Sequence, residues 1–278
     1  VNILFLGYGK MGSALGEMWL SGKVAQKIVA VDPHASGLVY QADCLVDIEC
    51  VQGTRFDVIV VAVKPNLVTD VLEKLSAEIL SGACIVSLAA GVSVSSVESA
   101  TATKVPIVRA MPNAAVQVNA GCTALYTNHP LADYRFELIN KLFESVGKAF
   151  WLDKEEQLDA VTAISGSGPA YYHLFSEALA DAAESLGLPA SLSRDLVACT
   201  AYGAAKLQCL PEANLQMLRH TVTSPNGTTH AAIEVFEQDY ALRELIIAAS
   251  NAAYNRAREL SGSTSMDPLQ RRNSAFFE

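Results

Sequence analysis

The residues most able to do chemistry in this chain lie in a few short runs, and the first of them comes almost at once. Gly7-Tyr8-Gly9-Lys10-Met11-Gly12 follows the apolar run Asn2–Leu6 and precedes a helix-forming stretch. That is G-x-G-x-x-G between a first buried strand and a first helix, the setting in which it binds a dinucleotide. Gly7 permits the tight turn, Gly9 lets backbone approach a pyrophosphate, and Gly12 lets the helix pack on the sheet. The helix N-terminus then faces the anion. A second apolar run, Lys27–Val31, ends in Asp32. That acid falls about 20 residues beyond Gly12, where such folds hydrogen-bond a ribose. A turn that binds nothing is the competing reading, and the placement of Asp32 favours the dinucleotide.

Two further segments leave predicted strands at the edge where open α/β sheets hold ligands. Ala62-Val63-Lys64-Pro65 ends a central strand. Its backbone amides can line a cofactor even if Lys64 is only a solvent-facing lysine. Arg109-Ala110-Met111-Pro112-Asn113 ends another strand, and Asn113 suits either a ribose or carboxamide contact or a structural turn.

The second half holds two dense, hydroxyl-rich runs. Ser165-Gly166-Ser167-Gly168-Pro169-Ala170-Tyr171 reads as a lead-in to a helix N-terminus, with Ser167 as cap and Pro169 in the first turn. Thr223-Ser224-Pro225-Asn226-Gly227-Thr228-Thr229 reads the same way and is followed by His230. Unpaired backbone N–H groups at the positive end of a helix dipole suit a carboxylate or phosphate. Ordinary N-capping accounts for one Ser or Thr per helix, so the density points to a substrate-carboxylate cradle. These runs contain no carboxylate pair, no Ser-His-Asp arrangement and no lysine placed as a proton donor. An acceptor that is already electrophilic, such as a protonated cyclic imine, therefore fits better than a ketone.

The elements that must position these residues change character along the chain. Up to Trp151, strand-like runs alternate with helical ones: Val58–Val63, Cys84–Ala89, Val105–Ala110, Cys122–Tyr126 and Lys148–Leu152 follow the first two strands. Helices are expected around Val68 to Ile79 and from Ala132 to Ser145. Alternation of this kind predicts an α/β fold with a mainly parallel, Rossmann-type doubly wound sheet. After Trp151 the pattern is helical, with long helices over Pro169–Leu186 and about Leu192–Leu207. The expected division is a dinucleotide-binding domain over 1–153 and an all-helical domain over 154–278. The helical half carries more apolar face than a small domain needs, which points to an obligate dimer interface. The tail from Ser261, with Gln270-Arg271-Arg272-Asn273, reads as exposed.

Composition fits that picture. The chain has 278 residues, 51% of them hydrophobic, with 20 basic against 29 acidic residues and a net charge of −9. No basic cluster marks a nucleic-acid partner, and no apolar run reaches membrane-spanning length. No charged leader with an apolar core precedes the first strand. Six cysteines without a C-x-x-C pair suit reduced thiols in the cytoplasm, and five histidines show no metal-ligand spacing.

Taken together, the Gly7–Gly12 turn, Ala62–Pro65, Arg109–Asn113, Asp159–Tyr171 and Ser224–Thr229 closely resemble pyrroline-5-carboxylate reductase, collinearly over nearly the whole chain. The resemblance implies reduction of 1-pyrroline-5-carboxylate, a cyclic imino acid, to L-proline with NADH or NADPH, the last step of proline synthesis. It implies a helical C-terminal domain that intertwines into a homodimer, with dimers assembling into decamers. In that family the Ser-Pro-Gly-Gly-x-Thr loop holds the substrate carboxylate and its final Thr contacts the ring nitrogen. Carried over, these are Ser224, Gly227, Thr228 and Thr229, with Ser224 and Thr229 as the catalytic pair. Ser165, Ser167 and Gly168 join the substrate side. Gly7, Tyr8, Gly9, Lys10, Met11, Gly12, Asp32, Ala62, Val63, Lys64, Pro65 and Asn113 form the cofactor side. Asn226 departs from the family by standing where the first glycine is usual, and His230 stands where an aliphatic residue is usual. Asn tolerates left-handed backbone, so the loop is expected to keep its shape.

Two other functions remain open. A β-hydroxyacid dehydrogenase shares the two-domain plan but uses a lysine after a Gly-rich motif, and here that position falls on Tyr172. A cofactor-binding regulator without turnover draws support only from Asn226 and His230. Among cofactors, Asp32 followed by Pro33-His34-Ala35-Ser36-Gly37, without Arg or Lys, favours NADH. His34 and Ser36 remain able to bond a 2′-phosphate.

Overall fold

The computed structural model describes residues 1–34, 41–51, 54–101 and 103–261. The Ala35-Ser36-Gly37 part of the loop after Asp32, and the tail beyond Ser261, lie outside them. By compactness the chain forms two units, residues 1–167 with the stretch from Ala253, and residues 168–252. The sequence-based division at 153/154 follows the end of the last strand instead.

The first unit is built on an eight-stranded sheet. In chain order its elements are β1 (Asn2–Leu6), α1 (Lys10–Ser21), β2 (Lys27–Val31), β3 (Asp43–Leu45), β4 (Val58–Val61), α2 (Val68–Glu73) and α3 (Ala77–Leu80). Then follow β5 (Cys84–Ser87), α4 (Val94–Ser99), β6 (Ile107–Met111), β7 (Gly121–Tyr126), α5 (Asp133–Glu144), β8 (Gly147–Trp151) and α6 (Gln157–Val161). The strand order is β3-β2-β1-β4-β5-β6-β7-β8. Successive side chains of β1 enter opposite cores: Ile3 and Phe5 pack with Trp19 and Phe143, while Leu4 and Leu6 pack with Ile59 and Leu72. Burial on both faces explains the unbroken apolar runs of these strands. The order reverses between β1 and β4, so a crevice opens beyond their C-terminal ends.

The sheet is mainly parallel, as expected, and the structure refines the sequence reading in three places. β7 runs antiparallel to β6. The connection between them, residues 112–120, is shorter than the dozen or so residues a parallel crossover needs. The single helix expected over Val68 to Ile79 is two, because the Ser76 hydroxyl accepts the Ile79 amide at 3.3 Å and starts α3 afresh. The hydroxyl-rich run at Ser165 leads into a helix that begins at Gly168 with Pro169 in its first turn, as expected, but Ser167 is not its cap. Residues Thr162–Gly166 form a π-turn directly after α6, and Ser167 is itself helical (φ −84°, ψ −22°) with its N–H on the Thr162 carbonyl at 2.9 Å.

A partly buried ion pair ties this region to the sheet. Arg109, on β6, meets the Glu155 carboxylate at 2.8 Å, and the same oxygen accepts the Val94 amide at the start of α4.

The second unit contains α7 (Gly168–Ser185), α8 (Ala190–Gln208), α9 (Leu215–Thr221) and α10 (Thr228–Glu237), and α11 (Ala241–Leu260) begins in it. Its helices bury little. Only Gly168 of α7 and Ser193 and Val197 of α8 are buried, and no residue of α9 or α10. Tyr172, Phe175, Leu196, Tyr202, Leu245 and Ile246 are among its exposed large apolar side chains. No helix among the described residues is long and apolar enough to cross a membrane.

Candidate active site

The crevice beyond β1 and β4 is a cleft of about 570 Å³. Gly7, Gly9, Asp32, Ala62, Val63 and Lys64 all line it. The three glycines serve different ends. A Cβ on Gly7 (φ +89°) would meet the Ala62 carbonyl oxygen at 2.9 Å, and one on Gly12 would meet the Gly7 carbonyl oxygen at 2.8 Å. Both are needed for packing. A Cβ on Gly9 would meet no atom within 4 Å. Gly9 therefore answers no demand of the protein itself, which fits close approach by a ligand. Gly9 is also the N-cap of α1, without a side-chain cap and with no acid in the first turn. Those N–H groups are suited to a pyrophosphate.

Asp32 is engaged differently from the sequence expectation. One carboxylate oxygen accepts the Tyr8 amide at 2.7 Å, and the other accepts the His34 amide at 2.8 Å. The acid thus ties the end of β2 to the glycine turn. Tyr8 contributes that amide, while its ring is buried edge-on against Phe5, with centroids 5.2 Å apart, and its hydroxyl donates to Glu17 at 2.9 Å. Met11 packs against the core, Lys10 is exposed, and Pro65 opens a 3-10 turn after Lys64. His34, Asp47, Leu67 and Lys74 also line the cleft. Asp47 and Lys74 were not singled out in the sequence. The first follows a strand of only three residues, too short to show a period, and the second is a lysine on a helix end like any other.

Asn113 is spent on protein partners. Its side-chain oxygen accepts the Ala115 and Cys122 amides, each at 3.2 Å. Its amide group donates to the Ser165 carbonyl at 3.2 Å and lies 3.4 Å from the Ser165 hydroxyl. The cause lies in the sequence: Pro169 has no N–H to offer the carbonyl four residues earlier, which is that of Ser165. Asn113 supplies the missing donor and latches the π-turn to the β6–β7 loop. A ribose or carboxamide contact by this side chain is therefore replaced by a positioning role. Ser165 and Ser167 are both half-buried in that turn.

In the second unit, the run from Thr223 does precede a helix start. Asn226 takes the left-handed backbone (φ 59°), and the Gly227 amide donates to the Ser224 carbonyl at 3.1 Å. Gly227 is the N-cap of α10, again without a side-chain cap. A Cβ there would meet the Ser224 hydroxyl at 2.6 Å, so Gly227 holds that hydroxyl close. Ser224, Thr228 and Thr229 are exposed around the uncapped amides. His230, half-buried in the first turn, faces Glu234 at 3.6 Å. The loop offers neutral donors at a helix N-terminus, a fit for a carboxylate.

Among the described residues, no group of three or more His, Cys, Asp or Glu is placed to hold a metal ion. All six cysteines are free.

Comparison with known proteins agrees with this geometry. Residues 155–260 match the family described as pyrroline-5-carboxylate reductase dimerisation. Residues 2–91 match that described as NADP oxidoreductase, coenzyme F420-dependent. A pyrroline-5-carboxylate reductase of Pseudomonas aeruginosa is 39% identical over 267 residues, covering 94% of this chain and 97% of that one. The solved structure of a pyrroline-5-carboxylate reductase from Coxiella burnetii superposes with a TM-score of 0.83 at 36% identity, over 94% of this chain and 98% of the other. The Plasmodium falciparum pyrroline carboxylate reductase, solved with NADP bound, gives 0.82 at 28% identity, with the same coverage. On its paired motifs, its fold and these relatives, the chain belongs to the pyrroline-5-carboxylate reductase family.

Proposed function

We propose that this protein reduces 1-pyrroline-5-carboxylate to L-proline with NAD(P)H. The observation that carries the reading is the Ser224–Thr229 loop, a hydroxyl-rich turn on an uncapped helix start, in a chain whose first unit holds a dinucleotide cleft. When bound, the dinucleotide would supply a hydride to the imine carbon, and the proton that the imine takes up from solvent before reduction would stay on the ring nitrogen. Gly9 and the first-turn amides of α1 would hold the pyrophosphate, and Ala62, Val63 and Lys64 line the same cleft. Ser224, Gly227, Thr228 and the α10 amides would hold the substrate carboxylate, and the Thr229 hydroxyl would bond the ring nitrogen. Ser165, Ser167 and Gly168 would join the substrate side from the π-turn and the start of α7, and Asn113 positions that turn.

The Asp32 carboxylate favours a bare 2′-hydroxyl: each oxygen accepts one backbone amide and keeps a further acceptor site for a ribose hydroxyl. Lys64 and Lys74 bring to the same cleft cations that can meet a 2′-phosphate. We therefore assign use of both NADH and NADPH. The exposed apolar faces of the second unit are covered by a second copy in a homodimer, with five such dimers in a decamer. Six free cysteines suit the reducing cytoplasm.

Ser224→Ala and Thr229→Ala test the loop. Loss of a hydrogen bond to a charged group costs about 1.5–3 kcal/mol, roughly 10- to 150-fold in kcat/KM for the imine. Affinity for NAD(P)H should stay as it is. A variant that lost dinucleotide affinity and kept its imine kinetics would place the loop on the wrong ligand.

A further inference from the structure

We propose that Arg219, Glu237 and Arg243 are positioning residues for the Ser224–Thr229 loop, an inference that rests on the substrate role of that loop argued above. Glu237 is the last residue of α10. A carboxylate there faces the negative end of the helix dipole, and the last turn holds no basic residue to offset it. Two arginines from neighbouring elements do so. Arg243 on α11 donates through Nη2 to Glu237 Oε1 at 2.6 Å and through Nε to Oε2 at 2.7 Å. Arg219 on α9 donates through Nη1 to the same Oε1 at 2.5 Å. The two guanidinium groups hold the Glu237 carboxyl down at about 2. A forked, shared arrangement of this kind is the exception among surface ion pairs, which singly contribute little.

Its place in the chain gives the triad its use. Arg219 lies in the last turn of α9, and the Thr223 hydroxyl donates to its carbonyl at 2.7 Å, closing that helix just before Ser224. The loop then enters α10, a rod about 15 Å long at 1.5 Å per residue. Joined to α9 by the loop alone, α10 would pivot about Asn226 and Gly227. The Arg219–Glu237 bond fastens the far end of the rod to α9 as well. The loop thus becomes one corner of a closed triangle, with its amides and the Thr229 hydroxyl held in one direction. Arg243 completes the clamp across the reversal at Asp239 and Tyr240, both in the left-handed region (φ 51° and 58°).

The test uses the full chain, with imine saturation curves, NAD(P)H binding and amide exchange over residues 222–229. Glu237→Gln keeps the shape and removes the charge. Removing uniform substrate binding raises KM without lowering kcat, so KM for the imine should rise about fivefold or more, with kcat within about twofold. Exchange in the loop should quicken and NAD(P)H affinity should stay put. Arg219→Ala should repeat the effect while leaving the Arg243–Glu237 fork in place, and Arg219→Lys should restore most of the loss. KM of the unmodified protein should rise with salt, and that of Glu237→Gln should not. Unchanged KM and exchange in both Glu237→Gln and Arg219→Ala would overturn the proposal, provided that Ser224→Ala and Thr229→Ala still impair imine use. If those two variants left imine kinetics intact, the substrate role of the loop would fall, and this proposal with it.

Discussion

The Asp32 carboxylate holds the Tyr8 amide at 2.7 Å, and through its second oxygen the His34 amide at 2.8 Å. A residue placed like a ribose ligand in sequence is therefore first a brace. It sets the path of the chain from β1 through Gly7 to α1.

The brace changes what Asp32→Ala should do. Each hydrogen bond lost to a charged group costs about 1.5–3 kcal/mol, so affinity for both NADH and NADPH should fall about tenfold or more. The fall should be smaller for NADPH, since removing the charge relieves repulsion of its 2′-phosphate. Paired binding titrations would show it. Unchanged NADH affinity would mean that the brace is dispensable.

The glycines of the turn should separate by function. Gly9→Ala should bind dinucleotide at least about tenfold more weakly with little change in Tm, because its Cβ would meet only open cleft. Gly12→Ala should lower Tm, by roughly the 1–3 kcal/mol of an overpacked site, because its Cβ would meet the Gly7 carbonyl oxygen at 2.8 Å. Thermal melts with and without NADPH would distinguish the two. The opposite ordering would reverse the roles given to these residues.

Asp159 supplies a pH test. Burial pushes its carboxyl above the ordinary value of 3.8, against the pull of Arg109, Arg258 and the Ser261 hydroxyl and with the push of Glu155. A folded value above the unfolded one means a favourable contribution present below pH 3.8 and lost as pH rises through the folded value. Asp159→Asn should therefore raise Tm at neutral pH, and the gain should vanish below pH 3.8. A variant less stable at neutral pH and indistinguishable in acid would reverse the sign.

Much of the site was legible in sequence because its signals are local. G-x-G-x-x-G, Asp32 and the strand before Lys64 each reveal themselves within a few residues, and the sheet carries all three to one cleft. Asn226 was legible for the same reason: its tolerance of positive φ is a property of the residue. What was hidden depended on distant partners. Asn113 could not be told from a ligand-binding residue until the carbonyl left bare by Pro169 was seen beside it. Ser167 looked like a cap because Gly and Pro surround it, yet a π-turn keeps the backbone helical there. Lys74 joins the cation set only because α2 folds over the cleft, and β3 is too short to show any pattern. The antiparallel β7 follows from loop length, a quantity that was present in the sequence but overridden by the rhythm of alternation.

The central claim is tested most directly by following NAD(P)H oxidation by the purified protein with 1-pyrroline-5-carboxylate, alongside 3-hydroxyacids and their keto forms with the matching cofactor. The account predicts oxidation of both NADH and NADPH with the imine, L-proline as product, and no turnover of the hydroxyacids or ketoacids. Turnover of a hydroxyacid without turnover of the imine would contradict it, and cofactor binding without any turnover would favour a regulator instead.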